Sequence, residues 1–202
     1  MSTLTDLTPG VWAIDASHSD VGFVARHLMV TKVRGRFNTV EGTITIAEDP
    51  LQSKVEATAE IASVTTGDPK RDEHLRSSDF FDAATYPTMQ LVSTGIDQRG
   101  SGYVLHTNLT IKGVTKPVDF DLEFEGVGSD PWGGTRAGFS ARADVNRKDW
   151  GLAWNMTLET GGVLVSDKVR IELEIEAALQ AAATSSTGTG RGSDSGAEKI
   201  SA

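Results

Sequence analysis

The chain has 202 residues, 38% of them hydrophobic, a formal net charge of −9 and no cysteine. That is enough apolar material for one well-filled domain. The missing thiols exclude disulfide frameworks, thiolate metal sites and cysteine nucleophiles, and the acidic balance argues against nucleic acid or an anionic membrane surface as a general partner.

The opening "MSTLTDLTPG" has neither a basic region nor an apolar run of the secretory kind, and no stretch reaches the roughly 18 apolar residues of a membrane-spanning helix. No transmembrane segment and a cytoplasmic location are therefore expected, with residues 1–10 as a flexible lead. Next comes "HSDVGFVARHLMVTKVRGRF" (18–37), whose alternation puts Val21, Phe23 and Ala25 on one face. His18 and His27 bracket that run, and Lys32, Arg34 and Arg36 follow it.

Period-two alternation continues through 42–48 (Ile44, Ile46), 54–61 (Val55, Ala57, Ala59, Ile61), 88–93 (Met89, Leu91) and 103–111 (Tyr103, Leu105, Thr107, Leu109, Ile111). It is strictest in "VDFDLEFE" (118–125) and "VRIELEIE" (169–176), where every second residue is apolar and most of the others are acidic. Strand 136–145 sets Ala137, Phe139, Ala141, Ala143 and Val145 on one side, and 150–165 is read as a further strand. Such alternation means one dry face and one wet face. With Gly- and Asp-rich breaks between segments, about eight antiparallel strands in a sandwich or barrel are predicted. One segment differs: "GDPKRDEHLRSSDFFDAATYP" (67–87) offers Asp68 as N-cap and Pro69 at the first helical position. A short helical insert over about 69–85 should carry Leu75, Phe80 and Phe81 inward. From 179 to 202 the Ala/Ser/Thr/Gly-rich composition predicts a disordered tail.

A small barrel can be filled by its own side chains or hold one ligand. The alanines of 54–61 and 136–145 leave volume unclaimed unless Trp150, Trp154, Phe23, Phe37 or Phe139 lean over them. Met29, Met89 and Met156 suit a wall that moulds to an apolar guest. Catalytic signals are missing: there is no GxSxG, GxGxxG or HExxH pattern, and helix capping accounts for Asp79 and Asp82. The four histidines, His18, His27, His74 and His106, lack ligand spacing. No catalytic residue, metal or cofactor is expected.

Taken in order, "WAIDASHSDVGFVARHLMVTKVRGRF", "RDEHLRSSDFFDAATYPTMQLVS", "LTIKGVTKPVDFDLEFEG", "GFSARADVNRKDWGLAW" and "VSDKVRIELEIE" resemble the YceI-like family, bacterial polyisoprenoid-binding, lipocalin-like proteins. The resemblance covers about residues 11–177. It implies an extended antiparallel lipocalin-like barrel (11–178) around an apolar tunnel, non-catalytic, holding a polyprenyl phosphate or isoprenoid quinone for transport or storage. Strands of roughly eight residues would make that barrel about 20 Å tall.

On this reading the tunnel is lined by Val21, Phe23, Phe37, Ala57, Phe80, Phe81, Met89, Leu91, Leu105, Phe139, Ala141, Trp150, Trp154 and Met156. His27, Arg34 and Arg36 would form a cationic lip for the head group, and His18 would hydrogen-bond beside a turn. Edge strands near the insert can support a homodimer. Two other readings stay open: an isomerase or cyclase with His27, His106 or Asp79 projecting into the interior, and a self-filled, stress-associated barrel.

Overall fold

The computed structural model describes residues 3–157 and 163–181. Its strands are β1 (Gly10–Ile14), β2 (Asp20–His27), β3 (Thr31–Phe37), β4 (Val40–Ile46), β5 (Lys54–Glu60), β6 (Val64–Thr65), β7 (Thr88–Arg99), β8 (Gly102–Ile111), β9 (Val114–Ser129), β10 (Thr135–Asn146) and β11 (Lys168–Leu179). Among the described residues one α-helix, α1 (Pro69–Arg76), occurs, between β6 and β7.

All pairings are antiparallel, and the sheet closes on itself. The order β1-β4-β5-β7-β8-β9-β10-β11 returns to β1 through Trp12↔Leu179 and Ile14↔Ala177, an eight-stranded barrel. β11 is long enough to serve two partners on that side: its C-terminal end pairs with β1, and Arg170–Glu174 pairs with β2. β2 and β3 form a hairpin that prolongs the wall beyond β1 and β4, and β6 adds two residues to it. Closure leaves the short outer edge of β6 as the end of the strand order.

The inward sets follow the alternation. Phe120 and Leu122 of β9 and Leu105 and Leu109 of β8 are buried, whereas Asp119 and Asp121 are exposed. Thr107, on the inner face of β8, is buried because its hydroxyl donates to the Val118 carbonyl at 2.8 Å. Gly35 of β3 sits opposite Phe23, and a Cβ there would lie 2.3 Å from the Phe23 ring, so only glycine lets that ring lie across the hairpin.

Helix α1 starts as its sequence dictates. Asp68 accepts from the backbone amides of Lys70 and Arg71, and Pro69 occupies the first turn. It is shorter than the predicted insert: residues 77–86 are turns, held by Phe80 and Asp82 amides donating to the Ser77 carbonyl. Asp72 fastens the helix to the wall, accepting from the Thr66 amide at 2.7 Å and from the hydroxyls of Thr65 and Thr66.

Three stretches depart from expectation. Residues 4–10 are no loose lead, because Leu4 and Leu7 are buried in the core and the Leu4 amide donates to the Tyr103 hydroxyl at 3.3 Å. β11 ends at Leu179, the first residue of the predicted tail, and residues 182–202 lie outside the described residues. Among the described residues of 150–165, where a strand was expected, only the isolated bridges Thr157↔Val163 and His27↔Val165 form. Side chains take over its backbone groups. Arg147, buried, donates to the carbonyls of Leu152, Trp154 and Ser166, while the Asn155 side chain pairs with the amide and the carbonyl of Val165. A segment whose polar backbone is satisfied this way has no need of a ladder.

Arg147→Met removes those donors and leaves carbonyls unpaired near the core. It should lower stability by about 3 kcal/mol in urea unfolding, the range for breaking a buried charged hydrogen-bond network. A loss under about 0.5 kcal/mol would show that the loops hold themselves.

Candidate functional site

The inward faces enclose an apolar cavity of about 230 Å³ running along the barrel. One end is lined by Leu4, Ile46, Ile96 and Phe139, the other by Ala25, Phe80, Trp150 and Val165. The volume is far above the roughly 10–15 Å³ that admits one water, yet an apolar void of this kind stays dry. The alanines explain the space: Ala57, Ala59 and Ala141 all face it. Val21, Phe23, Leu173 and Ile175 point inward and remain only half-buried. The interior is therefore not self-filled.

Every side chain expected in the tunnel lines the cavity except Trp154 and Met156. Trp154 packs on the outer side of the insert, 4.6 Å from the His74 ring and 5.3 Å from Phe80. Met156 is 56% exposed. Both lie on the stretch misread as a strand, where alternation carries no information about facing.

The cationic lip is also corrected. Phe37 and Phe23 face inward, so Arg34 and Arg36 take the opposite side of β3 and are exposed on the outer surface. His27 closes β2, half-buried, and is not part of the cavity wall. The polar residues on the wall are Ser53, Thr58, Gln90 and Arg147. The sequence reading missed Leu4 and Arg147. Leu4 was legible in retrospect, since Leu4 and Leu7 stand three apart just before the first strand; the inward turn of Arg147 had no local signal.

None of the groups that an enzyme reading needs inside reaches the cavity. His106 faces outward between Asp119 (2.7 Å) and Asp97 (3.1 Å), and Asp79 accepts from, or is held by, His74 Nε2 at 2.9 Å. His18 sits in the turn after β1, with Nδ1 3.2 Å from Asp15. Asp15, His18 and Glu176 do converge, with ligand-type atoms within 4.8 Å of one another. The chain supplies its own cation there: Arg136 Nη1 lies 2.5 Å from Asp15 Oδ2 and 3.2 Å from Glu176 Oε1. The Ser17 hydroxyl, Arg136 and His18 together hold the Asp15 carboxyl well below its ordinary range.

A closed antiparallel barrel around a dry, apolar, end-to-end cavity defines a class of protein, the small-hydrophobe-binding barrels. Within that class the comparisons are specific. The family model described as the YceI-like domain matches residues 12–177. A UPF0312 protein of Photorhabdus laumondii is 39% identical over 163 residues, 73% of this chain and 85% of its own. Among solved structures, a Campylobacter jejuni YceI protein superposes with a TM-score of 0.67 at 30% identity, covering 77% of this chain and 90% of that one. A polyisoprenoid-binding domain from Saccharophagus degradans shares the fold, with a TM-score of 0.63 at 17% identity over 84% of this chain and 98% of that one. The chain belongs to the YceI-like family.

His106 generates a pH prediction. Both ring nitrogens face carboxylates, so the imidazolium is favoured, and the hydrogen bonds to Asp119 and then Asp97 raise its pKa above the ordinary 6.5. The stabilisation is full below about pH 6.5 and is lost as the pH rises through the higher folded-state value. The difference in Tm between the wild type and His106→Gln should accordingly be largest in mild acid and shrink with rising pH. A pH-independent difference would show that the ring acts through packing alone.

Proposed function

We propose that this protein binds a long-chain isoprenoid lipid in its barrel cavity and carries or stores it without chemical change. The observation that supports this most is the cavity itself, about 230 Å³ with an almost wholly apolar wall. Each methylene taken from water into such a wall contributes about 0.8 kcal/mol. Saturating that gain over a whole prenyl chain would exceed the practical ceiling of roughly 20 kcal/mol, so ordering costs offset much of it.

Strand length bears on the ligand. β7, β10 and β11 have 12 residues each, longer than the sequence suggested. At about 3.4 Å per residue and a tilt near 40°, they make a barrel about 30 Å tall. A longer prenyl chain folds back or protrudes, so chain-length selectivity is loose.

The wall also bears on the head group. Among the described residues Arg147 is the one cation on that wall, and its guanidinium is already engaged by carbonyls and by Asp167. Burying a phosphate there would leave its charge without free donors. In this proposal an uncharged quinone head can follow its tail inside, whereas a polyprenyl phosphate keeps its head in water at the mouth.

Organic extraction of the protein purified from its host, followed by mass spectrometry, tests the reading. A stoichiometric prenyl lipid is the expected result. Ala141 faces the cavity between Leu122 and Leu173, and Ala141→Trp should abolish the co-purified lipid while the far-UV circular dichroism stays unchanged. An empty wild-type extract, repeated after incubation with polyprenyl phosphates and quinones, or undiminished lipid in the folded variant, would overturn it.

A further inference from the structure

The tip of the β2–β3 hairpin is built against the rules that govern the rest of the surface. Leu28, Met29 and Val30 are exposed by 42%, 55% and 76%, and Met156 beside them by 56%. The tip and that neighbouring segment are joined by the Leu28 amide donating to the Leu164 carbonyl, while the Leu164 amide donates to the Met156 carbonyl. These residues therefore form one apolar patch rather than scattered single exposures.

Its backbone is also unusual. Leu28 and Met29 have φ of 53° and 58°, left-handed values that are disfavoured for bulky L-residues. The β8–β9 turn makes the same demand with Lys112 at 50° and Gly113 at 73°, the ordinary solution with glycine second. Where Asn-Gly would relieve the strain, the β2–β3 turn keeps Leu-Met.

Charge adds an independent observation. Directly behind the tip Arg26 pairs across the hairpin with Lys32, a like-charged pair that destabilises a sheet, and Arg34 and Arg36 continue the outer face. All four are exposed, and among the described residues none has a carboxylate within 4.0 Å. This is a cationic band on a chain whose net charge is −9. The strained turn and the exposed aliphatics are unfavourable in water, and the facing like charges of Arg26 and Lys32 repel. Together they match one environment, where apolar side chains enter an acyl boundary and cations meet phosphates.

We propose that the β2–β3 tip is a docking surface for an anionic phospholipid bilayer, with Leu28, Met29 and Val30 inserted and Arg26, Lys32, Arg34 and Arg36 against the head groups. The acidic balance still disfavours a general membrane partner, since Glu172 of β11 shares the outer face of this band, in register with Arg36 through Gly22, and the attraction is therefore local to the tip. Docking in this pose presents the Ala25 and Val165 end of the cavity to the bilayer. It stands on the tip alone and needs no isoprenoid in the barrel.

The test is flotation of the full chain with extruded phospholipid vesicles containing no isoprenoid. Vesicles of phosphatidylcholine with about 30% phosphatidylglycerol should carry the protein, and pure phosphatidylcholine should not. Arg34→Gln with Arg36→Gln should weaken binding about thirtyfold, from roughly 1 kcal/mol for each cation near an anionic surface. Leu28→Asn with Met29→Gly should weaken it at least about tenfold while holding or raising Tm, since it removes apolar insertion and relieves the turn. The proposal is overturned if the wild type stays unbound, if it binds both vesicles equally, or if either folded double variant binds like wild type. A concentration-dependent dimer that shields the tip in light scattering, with no vesicle binding, would assign the patch to a second copy instead.

Discussion

The structure depends on closure of the sheet through the pairing of β1 with β11. Once Trp12 is set opposite Leu179, the ring has a fixed circumference, and the interior volume is no longer adjustable by collapse. Side chains on the inner faces then either fill that volume or leave it empty. Small residues at Ala57, Ala59 and Ala141 leave it empty, and a hydrogen-bonded wall cannot move inward to close the gap. The cavity is thus a consequence of ring geometry combined with side-chain size, not of any residue specialised for binding.

The rest of the molecule serves that ring. The N-terminal segment turns Leu4 and Leu7 into the core at one end, and the insert brings Phe80 and Phe81 to the other. Arg147 fastens the loops near the hairpin end by donating to their carbonyls, which converts an irregular segment into a fixed part of the wall. The His106 bridge between β7 and β9 and the Arg136 cluster both lie outside the barrel.

The two ends of the barrel differ. Near Trp12 the closure is tight, ladder-bonded and largely buried. At the opposite end the wall passes from paired strands to the β2–β3 hairpin and side-chain-tied loops, and there the apolar tip and the cationic band emerge. A ligand with an apolar tail has its least obstructed route at an end made of loops, because opening it breaks fewer ladder hydrogen bonds.

The sequence by itself determined the facing of almost every strand, because alternation is a local, period-two property: Phe120 in and Asp119 out follows from the order of residues alone. It also determined the start of α1, through Asp68 and Pro69, and the family. The same parity that put Phe37 inside puts Arg34 and Arg36 outside, so their outward facing was legible although the sequence reading set them at the lip. Only the tertiary structure decided that the sheet closes, that Leu4 belongs to the core, that 152–155 and 165–166 are tied by Arg147 and Asn155, and that the chain's own side chains do not fill the interior. Each of these rests on contacts between residues far apart in the chain, such as Trp12 with Leu179 or Arg147 with Ser166. Period and propensity carry no information about distance around a ring, and it is that distance which sets the volume inside.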